Sequence, residues 1–164
     1  MLFRSIYRVH RFYHMKHIDR YIYTRFPASS PCTCKICISF CKRPGWWLVS
    51  EARDAIVHGY ANRMMLELSP NHSFGVLSPA FKGNEGYLAL LEYSDNYCTF
   101  LENDRCTIFG KTFQPIECRF CHHDRIGLGK KCHYAIEKDW NSSKGKRLVN
   151  DWLFLRNLNS FHPF

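Results

Sequence analysis

Nine cysteines, gathered into the two stretches 32–41 and 98–132, constrain this chain of 164 residues more than any other feature. Disulfide-stapled miniproteins use even cysteine sets in short secreted chains. Here the count is odd and the chain is not short. Thiols stay free for metal in a reducing compartment, so the expected location is cytoplasmic. No segment approaches the roughly 18 to 20 apolar residues that cross a bilayer, and no membrane partner is expected. The N-terminus also has no continuous apolar stretch of the kind a secretory signal carries.

The first stretch runs Cys32-Thr33-Cys34-Lys35-Ile36-Cys37-Ile38-Ser39-Phe40-Cys41. Four thiols in ten residues cannot share one helix face, whereas a tight loop can turn several toward one point. The step from Cys34 to Cys37 is the two-residue knuckle spacing of zinc ribbons, which lets backbone N–H groups face the sulfurs. Lys35, Lys42 and Arg43 favour the thiolate form. Free cysteines also pack as small hydrophobes, but burial alone does not produce such density.

The second stretch is sparser. Cys98 and Cys106 flank Thr-Phe-Leu-Glu-Asn-Asp-Arg, which reads as a strand, an Asn-Asp turn and a returning strand that brings the two sulfurs together. Cys118 and Cys121 repeat the knuckle spacing and run into His122 and His123; Cys132 precedes His133. The candidate metal ligands are Cys32, Cys34, Cys37, Cys41, Cys98, Cys106, Cys118 and Cys121. The histidines and Cys132 stay open, since a solvated or supporting histidine is commoner than a ligand. Four thiolates suit tetrahedral zinc and equally an iron–sulfur cluster, so the expected cofactor is one or the other.

The rest of the chain reads as an α+β domain, small, irregular and centred on its metal, with short strands, a hairpin and a few helices. A composition 46% hydrophobic and 23% charged is globular. Residues 51–58 read as a helix capped by Ser50 and ended by Gly59. Residues 62–68 and 87–93 read as strands, and 69–86 as loop. A last helix is expected over 143–158, with Leu148, Trp152 and Leu155 on its core face. Trp46, Trp47, Leu48 and Val49 form an apolar knot.

Net charge is +9, but residues 1–26 hold six basic residues against Asp19 alone. Residues 1–31 therefore read as a basic, aromatic N-terminal arm and linker, and 32–164 as the cysteine-cluster domain. Such an arm can touch RNA or anionic lipid, serve as a presequence, or stand as a solvated tail, with Met15 an alternative start.

The cysteine segments resemble the YkgJ-type cysteine-cluster proteins, a zinc- or iron-chelating family that also underlies part of the flagellin lysine methylases. Cys34, Cys37 and Cys41 stand at three of the family's four N-terminal cysteines, with Phe40 at the other; Cys32 is extra. Cys98-Thr-Phe100-Leu101 matches a C-x-F-L element. Cys106-Thr-Ile108-Phe109 matches C-x-I-Y with Phe for Tyr, and Gln114-Pro115-Ile-Glu-Cys118-Arg119 matches R-P-x-x-C-R with Gln for Arg. The resemblance covers residues 32 to 121 by segments. It implies a metal site co-ligated by Cys34, Cys37, Cys41, Cys98, Cys106 and Cys118. It supplies a cofactor class and no reaction.

Three functions follow. The first is a metal-binding module, structural or redox, in contact with a metal ion and a protein partner. The second is an iron–sulfur enzyme or accessory protein in protein methylation or electron transfer. Against it, the chain has no G-x-G-x-x-G, no P-loop and no radical-SAM cysteine order. The third is a zinc-dependent module that binds nucleic acid through the basic arm. A hydrolase built on Cys118 or Cys121 beside His122 is disfavoured, because side chains adjacent in sequence seldom face each other productively.

Overall fold

The computed structural model describes residues 28–158, 160, 161, 163 and 164, so the basic arm of residues 1–26 lies outside the described residues. The fold is α+β, helices around two small antiparallel hairpins.

Cys34 initiates the first helix, α1 (Lys35–Ser39): its backbone is extended and its sulfur accepts the Cys37 N–H. The helix tightens into a 3-10 turn over Phe40–Lys42, which carries Cys41. The first stretch is thus helical from Lys35 onward where a loop was expected. Helix α2 (Val49–Val57) starts earlier than its sequence signal, with Leu48 rather than Ser50 at the N-cap. The reason is Glu51, whose carboxylate accepts the Leu48 N–H at 2.9 Å. Gly59 follows in the left-handed region at φ +87°, as expected.

Strand β1 (Met64–Leu68) pairs antiparallel with β2 (Gly75–Pro79), Met64 opposite Pro79 and Leu68 opposite Gly75. The segment 87–93, expected as a strand, makes only one parallel bridge, Leu66 to Leu88, and continues into a 3-10 turn over Leu91–Asn96. The turn-forming residues that made 69–86 resemble a loop instead close a hairpin. Asn71 Oδ1 accepts from Ser69 Oγ and from the Ser73 N–H, and every residue of β2 is buried. Strands β3 (Leu101–Glu102) and β4 (Arg105–Cys106) form the second hairpin, turned by Asn103 and Asp104 at φ 49° and 60°. That is the expected Asn-Asp turn.

Two helices complete the chain. Helix α3 (Lys130–Trp140) had no clear sequence signal. Helix α4 (Ser143–Leu155) is capped by Ser142 Oγ, which accepts the Gly145 N–H. Leu148, Val149, Trp152 and Leu153 of α4 are buried, whereas Leu155, expected on the same face, is exposed.

Three fully buried tryptophans anchor the core, and each indole N–H finds a carbonyl. Trp47 donates to Phe113 O, Trp140 to Trp47 O and Trp152 to Ala61 O. A buried indole satisfied this way contributes area without an orphan donor. Glu51 ties the same core to the second cysteine stretch, because its carboxylate also accepts the Ile116 N–H at 2.9 Å. Glu117 then accepts the Trp46 N–H at 2.7 Å. These two carboxylates fix where Cys118 lies.

Candidate metal centre

Three sulfurs from the first stretch converge on one ring nitrogen from the second. His123 Nδ1 lies 3.6 Å from Cys32 Sγ, 3.7 Å from Cys34 Sγ and 3.4 Å from Cys37 Sγ. Local structure explains the convergence. Cys34 and Cys37 are held at the mouth of α1 by the Cys37 N–H to Cys34 Sγ bond at 3.5 Å. The His123 N–H donates to Cys37 Sγ at 3.4 Å, which docks the 3-10 turn His123–Arg125 against α1.

The far side of the ring is held as well. Asp124 Oδ1 lies 3.1 Å from His123 Nε2. A carboxylate there requires Nε2 to carry the proton, so the Nδ1 lone pair faces the sulfurs. His122 stacks beside His123 with ring centroids 4.2 Å apart. Cys32, Cys37, His122 and His123 present ligand atoms that all lie within 4.8 Å of one another. His122 accepts the Asp124 N–H on Nδ1 at 3.2 Å and keeps Nε2 buried with no hydrogen-bond partner among the described residues.

Thiol ionisation in this cluster is uneven. The Cys37 N–H stabilises the Cys34 thiolate and lowers its pKa to about 7. Burial pushes Cys37 the other way, to about 12, despite the His123 N–H on its sulfur. A bound cation takes both as thiolates, since metal binding expels thiol protons.

The remaining cysteines of the sequence prediction fall into a second group. Cys41, Cys98, Cys106 and Cys118 line one cavity of about 510 Å³ that Cys32, Cys37, Cys121 and His122 also border, so it adjoins the first group. Burial and the charges of neighbouring thiols raise Cys41 to about 12 and Cys106 to about 11. Burial chiefly puts Cys98 well above the ordinary thiol range, and the neighbouring Cys121 thiol does the same to Cys118, with burial adding to it. Buried thiols so arranged ionise together only if a cation compensates their charge.

Cys121 donates to Glu117 O at 3.8 Å and is also hydrogen-bonded to Cys118. Cys132 is buried in the core and donates to Gly129 O at 3.0 Å. His133 pairs with Glu117 at 2.6 Å and packs on Trp46. Sequence reasoning underrated His123. The signal was the Cys-x-x-Cys-His-His run, which puts two imidazoles one turn beyond a knuckle cysteine.

Fold and site together define an α+β protein with a cysteine/histidine group able to hold a metal ion. No family model, curated protein or solved structure matches the chain. No described helix is long and apolar enough to cross a membrane.

Proposed function

We propose that this is a zinc protein in which Cys32, Cys34, Cys37 and His123 hold a single structural ion. The observation that carries this is the set of three sulfur distances around one oriented nitrogen. Zinc–sulfur bonds of about 2.3 Å and zinc–nitrogen bonds of about 2.0 Å, meeting tetrahedrally, separate sulfur from nitrogen by about 3.5 Å. The distances here are 3.4, 3.6 and 3.7 Å. The Asp124–His123 pair supports the same reading, because a carboxylate behind a ligating histidine fixes its tautomer and raises its basicity.

The ion fastens the segment before α1 to the turn at 123–125, two pieces of chain about ninety residues apart that meet through few other bonds. Metal-binding free energy is then folding free energy for that junction. All nine cysteines are free, which supports a reducing, cytoplasmic location. Within this reading the chain is a divergent relative of the YkgJ-type proteins, a kinship supported by the ordered elements at Cys98, Cys106 and Cys118.

Zinc content per chain tests the assignment. Purified protein carries one tightly held zinc at this site, and His123→Ala releases it to a chromophoric chelator that leaves wild type loaded. Equal retention by the variant removes His123 from the ligand set.

A further inference from the structure

The three thiols around His123 differ in their access to solvent. Of the nine cysteines, Cys34 alone is exposed; Cys32 is half-buried and Cys37 is buried. Thr33, Lys35 and Ile36 beside it are exposed as well, so a small molecule can approach the Cys34 sulfur from outside. The remaining thiols are half-buried or buried.

A second thiol stands directly behind this one. Cys37 follows three residues on, and its N–H donates to Cys34 Sγ at 3.5 Å. The two side chains are also hydrogen-bonded to each other, and Cys32 is hydrogen-bonded to both. Joining Cys34 to Cys37 therefore only shortens a contact that already exists. Joining Cys34 to Cys32, two positions away, closes a smaller ring and strains the bridge. An exposed thiol backed by a buried one at Cys-x-x-Cys spacing suits dithiol–disulfide exchange, in which the outer sulfur attacks and the inner one resolves.

We propose that Cys34 and Cys37 exchange with a low-molecular-weight disulfide, and that this reaction opens the zinc site. The Cys34 thiolate attacks one sulfur of the substrate R–S–S–R, forming Cys34–S–S–R and expelling one thiolate RS⁻. The Cys37 thiolate then attacks the Cys34 sulfur, forming the Cys34–Cys37 bond and expelling the second RS⁻. Two electrons pass from the protein pair to the substrate, whose S–S bond is broken as the new one forms.

The release step rests on the zinc reading above. Structural sites hold zinc with four protein ligands, and oxidation leaves only Cys32 and His123, so the ion departs as Zn²⁺. The consequence reaches beyond the two sulfurs. Cys37 Sγ also accepts the His123 N–H at 3.4 Å, so the oxidised pair is the one that docks the turn His123–Arg125 onto α1. Excess low-molecular-weight thiol reverses the exchange and restores the ligands. Burial keeps Cys98 and Cys132 out of the reaction, because an attacking sulfur must reach the substrate in line.

The test treats the full-length, reduced, zinc-loaded protein with oxidised glutathione in the absence of oxygen. A chromophoric chelator follows released zinc, and alkylation under denaturing conditions with peptide mass spectrometry maps the thiols. Wild type releases one zinc per chain and forms one disulfide, Cys34 to Cys37, while the other cysteines stay open to alkylation. Cys37→Ser stops at glutathione joined to Cys34. Cys34→Ser keeps its remaining thiols over the time in which wild type reacts fully. A bridge between any other pair, or modification that begins at another cysteine, overturns the exchange. Zinc retained beside a Cys34–Cys37 bridge overturns the release. Wild type that keeps both its zinc and all its thiols overturns the proposal and leaves the zinc reading standing. Wild type that carries no zinc before treatment defeats the zinc reading and the release with it. The wild-type thiol map then decides the exchange alone, as it does where a variant fails to fold: a Cys34–Cys37 bridge upholds it and any other map overturns it.

Discussion

Asp124 Oδ1 stands 3.1 Å behind His123 Nε2 while the opposite nitrogen of that ring faces Cys32, Cys34 and Cys37. Removing such a carboxylate loosens a metal without removing a ligand, typically by 10- to 100-fold. Asp124→Ala should therefore weaken zinc affinity by about that factor, and His123→Ala by more. Competition against a chromophoric chelator measures both. An Asp124→Ala affinity equal to wild type means the carboxylate does not support the ligand.

Zinc affinity should depend on pH in a way that Cys34 sets. The Cys37 thiol, at about 12, surrenders a proton to the metal throughout the neutral range. Cys34, at about 7, surrenders one only when pH falls below that value. Affinity therefore declines with falling pH, and the decline steepens below about pH 7. Chelator competition across pH 6 to 8 reads the slope; a constant slope means Cys34 does not bind as a thiolate gained from thiol in that range.

Glu67 carries a second pH dependence, unrelated to metal. It lies half-buried under Trp46 Nε1 and Ser78 Oγ, both donating to Oε1, and partial burial raises its pKa above the ordinary carboxylate value. The native state thus holds this proton to higher pH than the unfolded chain. The stabilisation is present below the unfolded value and is lost as pH rises through the raised native one. Glu67→Gln keeps an acceptor for both donors and should flatten the curve of stability against pH over that window. Urea melts at several pH values check it.

Gly145 is a helical glycine that must not be replaced by alanine. Alanine ordinarily gains about 1 kcal/mol in a helix interior. Here a Cβ would lie 2.3 Å from Trp140 O and 2.6 Å from Trp140 Cα, backbone atoms that cannot swing aside. Overpacking of this kind costs about 1 to 3 kcal/mol, enough to outweigh the propensity gain. Gly145→Ala should lower the thermal midpoint; a rise means that α3 and α4 shift apart freely.

Glu51→Ala should be the most damaging of these changes. It strips acceptors from the Leu48 and Ile116 N–H groups, and each unsatisfied donor costs about 1 to 3 kcal/mol. Denaturant melts of loaded protein should fall by about 2 to 5 kcal/mol.

Local signals in the sequence were legible where local physics decides the outcome. Asn103-Asp104 dictates its turn, Gly59 ends its helix, and the 3.6-residue stripe announces α4. The strand β2 was hidden because Pro70, Asn71 and Gly75 are as suitable for a hairpin as for a loop, and only pairing with β1 distinguishes them. The N-terminus of α2 shifted because a buried carboxylate, chosen by tertiary packing, replaced the serine cap. Cysteine density announced a group able to hold a metal, but the meeting of Cys32, Cys34 and Cys37 with His123 depends on how α1 meets residues 118–125. Spacing along the chain carries no record of that meeting.

The zinc-edge X-ray absorption spectrum of the purified protein tests the account most directly. Three sulfurs at about 2.3 Å and one imidazole nitrogen at about 2.0 Å are predicted for the ion between α1 and His123. A shell of four sulfurs with no imidazole, unchanged in His123→Ala, would contradict it.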